Sequence, residues 1–88
     1  MATIKIIGLV NGAPTPFDGQ YVVDYDPARE GVDPNGDPML AHLVTTPDRE
    51  QALHLTTEEA FELWRKPHGM RSDGRKNAPL TAFSVEIA

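Results

Sequence analysis

The sequence contains no cysteine. Disulfide cross-links, thiolate metal sites and cysteine nucleophiles are therefore excluded, and the absence fits a reducing compartment. No apolar run approaches the roughly 20 residues that span a bilayer. The apolar start, residues 4–10, ends at the turn signal Asn11-Gly12 and lacks the cleavage motif of a signal peptide. We therefore expect a cytoplasmic protein without membrane contact, and a first β-strand at this start.

Patterns of catalytic residues are missing as well. Neither of the two serines, Ser72 and Ser84, lies in a G-x-S-x-G sequence, and no glycine-rich nucleotide-binding sequence is present. The three histidines, His42, His54 and His68, stand on three different predicted elements, whereas metal-binding histidines usually occur as close pairs or with cysteines. The sequence therefore predicts a protein that is not an enzyme and has no cofactor and no metal.

One short acidic segment partly matches a calcium loop. Asp33 begins a D-x-N-x-D sequence, as an EF-hand loop does. However, the sixth and twelfth positions, which should be glycine and glutamate, are Pro38 and Val44. The segment is better interpreted as a pair of turns, and cation binding there stays an open alternative.

The composition that is present predicts a small globular domain. An apolar content of 40% with 24% charged residues is typical of folded rather than disordered chains. With 88 residues, the chain should form a single domain over 1–88. Runs of β-branched and aromatic residues predict strands at 3–9, 20–26, 39–45 and 80–87, with a shorter one at 52–55.

A helix is predicted at about 57–66. Thr56 and Glu59 have the spacing of a capping box, and Pro67 ends the pattern. We expect this helix to pack on one face of a mainly antiparallel sheet of four or five strands, through Phe61 and Trp64. The fold class is therefore α+β.

Further details of the sheet are also predicted. Alternation puts Tyr21, Val23 and Tyr25 on the core face of the second strand. Apolar residues on both faces predict an interior strand at 39–45. The last strand, after the helix, should lie beside the first, in the middle of the sheet. Prolines and glycines predict an exposed loop at 27–38.

Basic residues are concentrated in one segment. Five of the eight lie in residues 65–77, together with a single acid, Asp73. The net charge of this segment is +4. Because the whole chain has a net charge of −5, the remaining residues sum to −9. The candidate binding residues are Arg65, Lys66, His68, Arg71, Arg75 and Lys76.

The basic segment has three interpretations. It is a solvated loop whose charges balance the acidic loop, a surface for a protein partner, or a phosphate or nucleic-acid site with glycines that allow close backbone approach. The acidic chain and the lack of interleaved aromatic residues favour a protein over nucleic acid. Our hypothesis is a small interaction or modulatory protein that binds through residues 65–77 and the adjoining sheet edge. A homodimer is also compatible with such an edge.

Part of the sequence resembles a group of known proteins. The segment DGRKNAPLTAFSVEI, Asp73 to Ile87, together with the TTEEA helix start at Thr56 and the YDP sequence at Tyr25, resembles small uncharacterised proteins of actinobacteria and bacteriophages. The resemblance implies a cytoplasmic or phage-encoded accessory protein. It implies no activity, cofactor or catalytic residue.

Overall fold

The computed structural model describes residues 1–39, 41–69, 74 and 78–88. Its fold is α+β, as predicted, with one α-helix and two antiparallel sheets. The strands are β1 (Ile4–Leu9), β2 (Tyr21–Asp26), β3 (Gly31–Val32), β4 (Pro38–Met39), β5 (His42–Thr46) and β6 (Phe83–Ile87). Four of them form the main sheet in the order β5-β2-β1-β6, and β3 pairs with β4 in a separate hairpin.

The first strand lies in the centre of the main sheet. Ile4 and Ile6 are almost fully buried on its core face, and β1 pairs with both β2 and β6. The predicted pairing of the last strand with the first is therefore confirmed. The predicted position of the last strand in the middle of the sheet is wrong, because β6 is at the edge.

The prediction of an interior strand at 39–45 is also wrong. The corresponding strand, β5, is at the opposite edge of the main sheet. Leu43 is buried on one face, but Val44 on the other face is 40% exposed. Apolar residues on both faces therefore did not mean burial on both faces.

A bulge changes which residues of β2 face the core. Val22 pairs with Thr45 and Asp24 pairs with Val44, so Val23 is an extra residue in β2. Val22 and Tyr25, three positions apart, are consequently the buried residues of this strand, while Val23 is half-buried. Simple alternation was wrong for Val23 and right for Tyr25.

The helix α1 covers Thr57–Trp64 and begins with the predicted capping box. The Glu59 backbone N–H donates to Thr56 Oγ1 at 3.1 Å, and the Thr56 N–H donates to Glu59 Oε1 at 3.1 Å. Ala60 is fully buried against the sheet. Trp64 is half-buried, whereas Phe61 is 42% exposed, so the expected packing through Phe61 is wrong.

Three smaller predictions need correction. The segment 27–38 is not only a loop, because it contains β3 and the start of β4. Pro79–Ala82 forms a 3₁₀-helix where the last strand was expected to begin, with proline in its first turn. Residues 52–55 form no strand, only an isolated bridge between Leu55 and Ala2.

The core lies between the main sheet, α1 and the 3₁₀-helix Pro79–Ala82. Its buried members are Ile4, Ile6, Phe17, Val22, Tyr25, Leu43, Ala60 and Leu80. Phe17 and Phe83 meet edge to face, with ring centroids 5.7 Å apart. This packing fixes the beginning of β6 against the core, and the side of β6 away from β1 forms the edge of the sheet.

Candidate edge-strand binding site

The outer edge of β6 exposes backbone hydrogen-bonding groups. Thr3 and Ala88 exchange two backbone hydrogen bonds, of 3.0 and 3.3 Å. Hydrogen-bonded and non-hydrogen-bonded pairs alternate along an antiparallel ladder. The Lys5–Glu86 pair is therefore hydrogen-bonded, and Val85 and Ile87 direct their N–H and C=O groups away from β1. No described residue forms a backbone hydrogen bond with those four groups.

The helix closes this edge at one end. Trp64 Nε1 donates to the Phe83 carbonyl oxygen at 3.2 Å, and the Phe83 N–H donates to the Leu80 carbonyl oxygen of the 3₁₀-helix Pro79–Ala82. The backbone of Phe83 is therefore already engaged. Judged by the residues that the structure describes, the backbone groups of β6 left for an incoming strand are those of Val85 and Ile87.

An apolar groove of about 360 Å³ runs along the same edge. Val85 and Ile87 are on the core face of β6, opposite Ile6 and Ile4, whereas Ser84 is on the other face. The groove therefore includes both faces of the sheet. Its lining residues are Ile7, Val10, Phe61, Trp64, Ser84, Val85 and Ile87.

Three of the large exposed apolar side chains lie in this groove. Val10 is 65% exposed, Ile7 48% and Phe61 42%. Single exposed apolar residues are ordinary, whereas contiguous exposed apolar patches are typical of interaction surfaces. Sequence reasoning missed Ile7 and Val10, and it assigned Phe61 to the core. The consecutive Ile6-Ile7, which places apolar residues on both faces of β1, was the available signal.

The other edge of the main sheet is partly covered. A Cβ added to Gly31 of β3 would lie 3.0 Å from the Cα of His42 and 3.1 Å from the Ala41 carbonyl oxygen. The β3–β4 hairpin therefore packs directly against the start of β5. The two edges differ, and within the described ranges no strand pairs with the outer edge of β6.

Glu86 gives the edge of β6 a negative charge. Its side chain is exposed and shares a face with Lys5, its partner across β1. Lys5 Nζ lies 5.8 Å from the centroid of the Tyr21 ring, a cation–π arrangement. Within the described part of the chain, no ion pair includes Glu86. Among the described residues, its carboxylate is therefore unpaired.

The structure describes three of the six predicted binding residues. Arg65 ends α1: its Nε donates to the Phe61 carbonyl at 3.3 Å, and its guanidinium lies 5.8 Å from the Phe61 ring centroid. It therefore lies at the rim of the β6 groove. Lys66 lines a different groove, next to Leu53 and Leu55, and His68 is exposed. Arg71, Arg75 and Lys76 lie outside the described residues.

Asp33 and His42 make contacts within the fold. Asp33 Oδ1 accepts from the backbone N–H groups of Asn35 and Asp37, both at 2.9 Å, which is the geometry of a turn. His42 Nε2 lies 3.2 Å from Asp24 Oδ2 across the β2–β5 pair. No group of three metal-ligating side chains occurs among the residues that the structure describes.

A second cavity, of about 290 Å³, lies at the other side of the core and is almost wholly apolar. Tyr25 lines it, and its buried hydroxyl makes no hydrogen bond to the described residues. Burial raises the pKa of Tyr25, and the nearby Leu80 backbone acts in the opposite sense without reaching hydrogen-bond geometry. The hydroxyl has no exposed surface, so it is not directly accessible to a molecule in this cavity.

Comparisons with family models, curated proteins and solved structures found no match to this chain. No described helix is long and apolar enough to cross a membrane. Functional inference therefore depends on the geometry of the site itself.

Proposed function

We propose that this chain is a small, non-enzymatic protein-binding domain that accepts an extended segment of a partner at the edge of β6. The observation that supports this proposal is that the outward backbone groups of Val85 and Ile87, in an apolar groove, have no hydrogen-bond partner among the described residues. In β-strand addition, main-chain hydrogen bonds supply affinity and alternate side chains supply specificity. The resemblance to small uncharacterised proteins of actinobacteria and bacteriophages, which implies a cytoplasmic or phage-encoded accessory protein, is compatible with a modulatory role.

In this proposal, the basic segment 65–77 attracts the partner electrostatically. The Arg65 guanidinium at the rim of the groove, and the cationic residues up to position 77, would attract an acidic part of the same partner. Charges at the rim of an interface mainly accelerate association. Replacing Arg71, Arg75 and Lys76 together by alanine should slow association while leaving the melting temperature nearly unchanged. A large loss of stability instead would assign those side chains a structural role.

The edge can be tested without knowledge of the natural partner. A random peptide library displayed on phage is selected against the immobilised protein, and the selected peptides are added to ¹⁵N-labelled protein. We expect peptides whose binding slows amide hydrogen exchange at Val85 and Ile87. Absence of enrichment, or protection confined to other surfaces, would refute the proposal.

Two variants provide the matched comparison. Phe61→Asp places a charge in the groove and should abolish peptide binding. Val32→Asp changes a side chain that is 63% exposed on the β3–β4 hairpin and should leave binding unchanged. Both variants should keep the wild-type circular dichroism spectrum. A nucleic-acid site at the same basic residues would appear instead as a gel shift that weakens steeply with salt.

A further inference from the structure

The position of Glu86 determines which strand the β6 edge can accept, provided that the proposed edge binding occurs. Val85 and Ile87 form the outward hydrogen bonds, so the residue opposite Glu86 belongs to a non-hydrogen-bonded pair. Side chains approach most closely in such pairs, with Cα atoms about 4.5 Å apart. The charge of Glu86 therefore acts directly on one residue of the bound strand.

We infer that the partner strand carries a basic residue opposite Glu86 and apolar residues on either side of it. The two flanking residues lie opposite Val85 and Ile87 and share their face, which is the face with Phe61 and Trp64. The basic residue lies on the other face, beside the carboxylate whose cross-strand neighbour Lys5 is directed to Tyr21. The recognised sequence is apolar–basic–apolar in an extended, antiparallel strand.

The same geometry disfavours a second copy of this chain as the occupant. Two β6 strands related by a two-fold axis can pair Val85 with Val85, Val85 with Ile87, or Ile87 with Ile87, and the last of these leaves the outward groups of Val85 without a partner in β6. The first register places Ile87 of the other copy against the Phe83 backbone, which the Trp64 indole already covers. The second register places Glu86 opposite Glu86, and like charges directly opposite are destabilising. A strand from a different protein, with a cation at this position, has neither conflict.

The test uses fluorescein-labelled nine-residue peptides that differ only in a central Val-Lys-Val, Val-Gln-Val or Val-Glu-Val. Opposite charges directly across from each other stabilise a strand pair, and like charges destabilise it. We therefore expect the lysine peptide to bind the wild-type protein about fivefold to tenfold more tightly than the glutamate peptide. The E86Q variant should show little preference, and E86K should prefer the glutamate peptide.

The outcomes separate this inference from the proposed function. Peptides that protect the Val85 and Ile87 amides, but bind without regard to the central charge, would overturn the inference and retain edge binding. If no peptide protects those amides, edge binding itself fails. If E86K still prefers lysine, the preference reflects the overall acidity of the chain, and the inference is wrong. Peptide-independent dimerisation of the wild-type protein through β6 would identify a second copy as the occupant and would also overturn it.

Discussion

Thr56 and Glu59 fix the start of α1 by exchanging hydrogen bonds between side chain and backbone. Thr56→Ala removes the acceptor for the Glu59 N–H and should reduce the free energy of unfolding by about 1 kcal/mol. For a domain of this size, that corresponds to a melting temperature lower by about 4–8 °C. Calorimetry measures this decrease in melting temperature. The control is Thr57→Ala, which removes the hydroxyl of the next residue. Equal effects of the two changes would contradict a specific role of the cap.

The Glu59 carboxylate makes the contribution of this cap depend on pH. Its pKa is lowered, first by the hydrogen bond from the Thr56 backbone and then by the Thr56 side chain. A carboxyl whose pKa is lower in the folded state adds stability above its unfolded pKa, and this is lost as pH falls through the folded pKa. Glu59→Gln keeps an acceptor but does not titrate.

We therefore expect wild type to exceed Glu59→Gln in stability at neutral pH, with the difference closing in acid. Urea unfolding at a series of pH values measures it. A difference that stays constant with pH would show that the charge of Glu59 does not contribute.

The hydroxyl of Tyr25 is buried without a hydrogen-bond partner among the described residues. An unsatisfied buried polar group costs about 1–3 kcal/mol. Tyr25→Phe removes it without changing the ring, so the free energy of unfolding should rise by about 1 kcal/mol. Tyr21→Phe, at a less buried ring on the same strand, is the control. A decrease for Tyr25→Phe would show that the hydroxyl has a partner in solution.

At the scale of elements, α1 approaches the sheet through its smallest side chain. Ala60 is fully buried, so the helix has no room for a larger residue there. Ala60→Leu should cost about 1–3 kcal/mol through overpacking, although leucine is nearly as good a helix former as alanine. Glu62→Leu, at an exposed position of the same helix, should cost far less. Similar denaturation midpoints for the two variants would contradict the close contact at Ala60.

The elements were predictable where the signal was local. The capping box of α1 and the main strands follow from residues near in sequence, and their existence is confirmed. The faces of β2 were not predictable, because one extra residue, Val23, shifts the pairing with β5. The edge position of β5 was not predictable either, because the strand order is not specified by residues near in sequence.

The candidate site was predictable only in part. The adjoining sheet edge was expected, but which strand is free depends on the strand order, which no local pattern specifies. Phe61 illustrates the difficulty: its spacing with Trp64 is that of a buried stripe. The core position next to it is filled by Ala60, which leaves the Phe61 ring beside the edge of β6.

At the scale of the whole molecule, the two edges of the main sheet differ in how they are protected from further strand pairing. The β3–β4 hairpin covers the start of β5, whereas β6 has Glu86 as its charged residue and Trp64 at one end. Charged residues on edge strands are a common protection against uncontrolled pairing between copies. In this chain, the same charge would select the permitted partner.

This dual role of Glu86 predicts the assembly state of a mixture. In a wild-type dimer paired through β6, two glutamates would lie opposite each other, and in an E86K dimer two lysines would. Each protein alone should therefore sediment as a monomer. Mixed in equal amounts, the two proteins can pair Glu86 with the introduced lysine in the Val85–Ile87 register. We expect a 1:1 heterodimer by sedimentation velocity, weaker at high salt because the opposed charges are exposed. Adding Phe61→Asp to both proteins should abolish the heterodimer, since the groove adjoins the paired strands. Persistence of two monomers in the mixture would show that the β6 edge does not pair, whatever its charge.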